Sequence, residues 1–126
     1  MSMKLRTGEF AQLVKQALAD IPPPFDRYLE DMAIDVEAAP DAQTLREMEI
    51  DDPTEILGLY QGLPLTERSL EGLPELPDRI VLYQKNIELV CDTHAEIIHE
   101  IRVTVLHEVG HHFGLDEDDL EALGYD

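Results

Sequence analysis

The chain has 126 residues, of which 44% are hydrophobic and 6% aromatic, the size and make-up of one globular domain over residues 1–126 and not of a disordered tail. Nine Lys and Arg against 28 Asp and Glu give a formal net charge of −19, a surface that repels phosphate backbones and anionic headgroups, so neither nucleic acid nor membrane is an expected partner. A single cysteine, Cys91, excludes an internal disulfide framework, and with no leader before Lys4, Arg6 and Glu9 and no apolar run near ~20 residues the chain reads as cytoplasmic.

In chain order, Phe10, Leu13, Val14, Ala17, Leu18 and Ile21 recur at three and four, the spacing of an amphipathic helix. Thr7 is its expected N-cap, and Pro22-Pro23-Pro24 ends it. Met32, Ile34 and Val36 alternate with Ala33, Asp35 and Glu37, which predicts a half-buried strand over 32–38. The polar stretch 40–52 holds an expected helical turn near Thr44–Met48, and Ile56–Tyr60 reads as a second strand. Gly72, Pro74 and Pro77 mark 69–78 as loop. Ile80-Val81-Leu82-Tyr83 forms the third strand candidate, within 79–84, and 86–91 a short helix in which Cys91 is a packing residue.

Thr93 and Glu96 then form a T-x-x-E capping box. Periodic apolar residues follow from Ile97 through Ile101, Val105 and Val109 to Phe113, with Gly114 as the stop. A short acidic helix is expected over 116–123.

Within the long helix stands His107-Glu108-Val109-Gly110-His111, an H-E-x-x-H motif. Residues four apart on a helix differ by only about 40° in direction, so both imidazoles project from one face and can share one metal ion. Glu108 lies about 100° around, beside the metal and outside its ligand set, where a general base for metal-activated water belongs. Zinc, one ion per chain, is the default for two His and a carboxylate. Read against the longer pattern H-E-x-x-H-x-x-G-x-x-H, Gly114 falls on the glycine and Glu117 where the last His would stand. Glu117 is therefore the first candidate for the third ligand, and Asp116 the alternative.

Projected around the helix axis, the apolar residues cover an arc of about 180°, and Glu96, Glu100, Thr104, His107 and His111 gather in one polar stripe. Such a stripe should line a cleft. His94, His99 and His112 fall off the ligand direction and are expected non-ligands. Arg102 lies within the apolar arc and is expected to pair with a buried acid. Tyr60, Tyr83 and Tyr125 are candidates to stabilise an oxyanion, although packing is the commoner role. The strand 56–60 could present an edge on which an extended peptide docks, with Gly58 allowing close backbone approach.

The run His107 to Asp116 resembles that of the small bacterial zincin-like metallopeptidases, and so do the segments 57–68 (Leu-Gly-Leu-Tyr-Gln-Gly-Leu-Pro-Leu-Thr-Glu-Arg) and 76–83 (Leu-Pro-Asp-Arg-Ile-Val-Leu-Tyr). The resemblance implies a compact zincin-like α/β (α+β) fold, a small mixed sheet packed against the metal-binding C-terminal helix. It also implies zinc at His107 and His111 with Glu108 as base. The chain departs from the larger H-E-x-x-H-x-x-G-x-x-H proteases in its acidic third ligand, and no Met follows Glu117. The expected function is a zinc-dependent hydrolase acting on a peptide or protein substrate, with a partner protein as one way to complete the cleft. The rival is a zinc-containing interaction module that turns nothing over.

Overall fold

The computed structural model describes residues 4–23, 25–30, 32–61, 79–112, 114 and 117–122. Helix α1, Thr7–Ala19, buries Phe10, Leu13, Val14 and Ala17, the face its periodicity marks. Its N-cap is Arg6, with extended backbone and no side-chain bond, so Thr7 is the first helical residue and not the cap. The chain enters the helix one residue earlier because Arg6 O already accepts from Phe10 N–H at 3.0 Å. A short helix that periodicity does not announce, α2 (Phe25–Leu29), follows. It is held by burial of Phe25, which meets Tyr28 edge-on at 6.0 Å.

Strand β1, Ala33–Glu37, lies within the expected 32–38. Helix α3, Ala42–Glu47, is capped by Asp41, whose Oδ1 accepts from Thr44 N–H at 2.8 Å. Strands β2 (Gly58–Gln61) and β3 (Arg79–Tyr83) complete the sheet, and α4 (Gln84–Leu89) leads to α5 (His94–His112) and α6 (Glu117–Ala122). The expected loop over 69–78 lies outside the described residues.

The sheet is mixed, in order β1-β3-β2. β3 runs parallel to β1, with Val36 opposite Leu82, and antiparallel to β2, with Tyr60 opposite Ile80. Its central place explains its composition: Ile80, Val81, Leu82 and Tyr83 are all buried, as a strand covered on both faces requires. Among the described residues β2 is an edge.

Helices α1 and α5 pack on each other, and α5 rests on β2 and β3. The shared core holds Phe10, Ala17, Ile80, Leu82, Ile97, Ile101, Val105, Leu106 and Val109, all fully buried. Each large side chain there contributes about 1.5–3 kcal/mol relative to exposure. This is the small mixed sheet against a C-terminal helix that the sequence implies.

Two polar contacts fix how the layers sit. Asn86, 3% exposed, donates through Nδ2 to Pro53 O and Ile56 O, both at 2.7 Å, and so pins the segment that enters β2. β2 begins two residues later than the sequence pattern suggests, because its partner β3 ends at Tyr83, whose N–H bonds Leu57 O, and the chain turns into α4 at Gln84. Among the described residues Arg102 meets no buried acid. Its Nε donates to Ala17 O at 3.2 Å, closing the C-terminal turn of α1, and its ion-pair partner at 3.6 Å is the exposed Asp20. Among the described residues no helix is long and apolar enough to cross a membrane.

Candidate metal centre

Helix α5 starts where the capping box places it. Thr93 Oγ1 accepts from Glu96 N–H at 3.1 Å and its hydroxyl donates to Glu96 Oε1 at 3.3 Å. The apolar arc from Ile97 to Val109 is buried and locks the helix's rotation against the core. The opposite side carries His107, half-buried, and His111, exposed. At the far end Gly114 adopts φ 84 and donates its N–H to His111 O at 3.1 Å. A left-handed position there suits glycine and lets the chain leave the helix before α6 begins at Glu117.

His107 and His111 come together on that face. Their ring centroids lie 6.0 Å apart at an interplanar angle of 71°. Zn–N distances of about 2 Å plus the ring radii let one ion bridge such a pair. Among the described residues His107 Nε2 is buried and has no hydrogen-bond partner. A buried polar atom left so costs about 1–3 kcal/mol, and coordination of a cation is one arrangement that offsets it. The donor chemistry therefore fits zinc. Among the described residues no group of three His, Cys, Asp or Glu side chains converges on one point. The side chains of Glu117 and Asp116, the two candidates for a third ligand, lie outside the described residues, as does that of His112.

Glu108 is half-buried. Burial pushes its carboxyl above the usual carboxylate range, against three opposing influences: the Tyr60 main-chain N–H that donates to it, and the nearby imidazoles of His111 and His107. Glu108 thus faces both β2 and the two candidate ligands.

The other candidates disperse. His94 and His99 are exposed and take no part in the pair. Glu100 and Glu96 lie instead by Cys91, 1% exposed, whose thiol is pushed up to about 11 by burial and then by Glu100, Glu96 and Asp92. Tyr83 is buried, and burial raises its phenol too. Tyr60 packs partly against the core, and Tyr125 lies outside the described residues.

Gly58 allows close approach of α5. A Cβ there would stand 2.6 Å from Thr104 Cγ2 and 3.0 Å from Val81 O. Thr104, one turn before Glu108 and expected to line a cleft, is buried beneath the strand. The contacts Thr104–Gly58 and Glu108–Tyr60 together seat the motif-bearing half of α5 on β2. The second of these is invisible in the sequence, since its donor is a main-chain amide that any residue except proline supplies.

The family model for zincin-like metallopeptidases matches residues 29–125. No curated protein matches the chain.

Proposed function

The chain belongs to the zincin-like metallopeptidase family, and from that premise we propose that it is a zinc-dependent peptidase, with the metal held by His107, His111 and Glu117 and with Glu108 as base. The observation that carries this reading is the buried His107 Nε2, unpartnered among the described residues, beside His111. Gly114 at positive φ, followed by a helix that opens on Glu117, supports the third ligand.

A bound zinc would supply Lewis-acid polarisation of the scissile carbonyl and lower the pKa of the attacking water. The two imidazoles and the Glu117 carboxylate would hold it from one side, leaving the other to substrate. Glu108 accepts a proton from the attacking water at its carboxylate and passes it to the departing amine nitrogen, as the new C–O bond forms and the C–N bond breaks. Burial brings its pKa nearer the working pH, the direction that suits a group that must both take and return a proton. An extended peptide would pair with the outward main-chain groups of Gly58 on β2, leaving the Tyr60 N–H to Glu108.

The test is cleavage of a quenched-fluorescence peptide library by the full chain loaded with one equivalent of zinc. Glu108→Gln should keep the metal and lose hydrolysis by about a hundredfold or more. Wild-type cleavage by that variant refutes the role of Glu108. A wild type that binds zinc and cleaves nothing favours an interaction module instead.

A further inference from the structure

Register decides which main-chain groups of β2 face β3 and which face away. Tyr83 N–H donates to Leu57 O at 2.9 Å, one step before the Gly58–Leu82 pair. Hydrogen-bonded and non-hydrogen-bonded pairs alternate along an antiparallel ladder. Leu59–Val81 and Gln61–Arg79 therefore exchange bonds, whereas Gly58 and Tyr60 turn their N–H and C=O groups away from β3. On an edge strand such groups ordinarily bond water. The Tyr60 N–H has another acceptor, the Glu108 carboxylate, brought to that side of the strand by α5.

A main-chain donor is well suited to aim a carboxylate. It has no rotamers of its own, and here the ladder fixes it on both sides through Leu59 and Gln61. Glu108 is half-buried beside two imidazoles, and among its named polar neighbours this amide is the one that the sheet itself holds still.

We propose that the outward-facing main-chain N–H of Tyr60 is the positioning group for Glu108, so that the sheet edge, and not a side chain, sets the orientation of the base. The functional meaning rests on the reading of Glu108 given above; the contact does not, and it is tested without metal or substrate. A chain laid along β2 at Tyr60 competes with Glu108 for this donor.

The experiment is amide hydrogen exchange and ¹H–¹⁵N spectroscopy on the full chain after chelator dialysis, for wild type, Glu108→Ala, Glu108→Gln and Tyr60→Phe. Exchange at Tyr60 should quicken at least about tenfold in Glu108→Ala. Glu108→Gln should retain part of the protection, because the amide oxygen still accepts, and Tyr60→Phe should retain all of it. The ladder amides of Leu59 and Gln61 should stay within about twofold throughout, separating a lost contact from a loosened strand. Unchanged Tyr60 exchange in Glu108→Ala overturns the proposal. Should Glu108→Ala loosen the whole strand, the Tyr60 amide resonance in Glu108→Gln decides: a shift expresses the weaker acceptor, and an unmoved resonance overturns the proposal. A chain that binds no zinc but passes this test loses the peptidase reading and keeps the contact.

Discussion

Replacing Gly58 with Ala tests how α5 is seated on the sheet. The new Cβ would stand 2.6 Å from Thr104 Cγ2 and 3.0 Å from Val81 O, against ordinary carbon contacts of about 3.5–4 Å. Val81 belongs to the central strand and cannot withdraw, and Thr104 is β-branched in a helix, where its χ1 choices are few. Helix and strand must part by several tenths of an ångström. Overpacking of this kind costs about 1–3 kcal/mol, offset by roughly 0.5–1 kcal/mol because Ala constrains the unfolded chain more than Gly. We expect a net loss of about 1–2 kcal/mol in urea unfolding. Thr104→Ser removes the nearer obstacle, so the double variant should recover at least about 0.5 kcal/mol relative to additivity. Strict additivity would refute the close approach. Since Glu108 lies one turn beyond Thr104, and Tyr60 two residues beyond Gly58, the single variant should also quicken Tyr60 amide exchange.

Asn86→Ala leaves Pro53 O and Ile56 O without their donor and should cost about 2–4 kcal/mol in the same unfolding assay; a loss below about 0.5 kcal/mol contradicts the pinning role. Cys91, with its thiol near 11, should alkylate at pH 8 about a hundredfold slower in native protein than in urea. Because the folded thiol holds its proton to higher pH than the unfolded one, the stability it contributes falls as pH rises from about 9 towards 11; thermal unfolding across that window checks the sign. In metal-free protein Glu108 has a raised folded pKa, so its ionised form is disfavoured by folding once pH exceeds that value. Glu108→Gln should therefore raise Tm at pH 7, and its advantage should shrink on acidification through the folded pKa. A constant difference across pH would contradict that burial.

What the residues reveal in advance follows from how local the signal is. The capping box at Thr93, the apolar arc of α5, the H-E-x-x-H spacing and the stop at Gly114 are all written within some twenty neighbouring residues, and each appears where the pattern puts it. β3 is legible for the same reason, as a short apolar run whose central place in the sheet requires nothing else. The start of β2 is not, because it is decided by where its distant partner β3 ends, at Tyr83, the residue whose N–H bonds Leu57 O. α2 is too short for any periodicity and depends on burial of Phe25. Gly58 signals close approach, but not of what; only the packed helix identifies Thr104. Arg102 on an apolar face suggested a buried acid, whereas a helix-terminal carbonyl satisfies it, an acceptor with no residue identity. The Tyr60 amide escapes in the same way.

The central claim is that His107 and His111 hold a metal, and metal content tests it most directly. Tag-free wild type purified without added metal should carry about one zinc per chain by mass spectrometry, and a His107→Ala/His111→Ala double variant none. Absence of zinc from both proteins, together with no thermal shift on adding zinc to chelated wild type, would contradict the account.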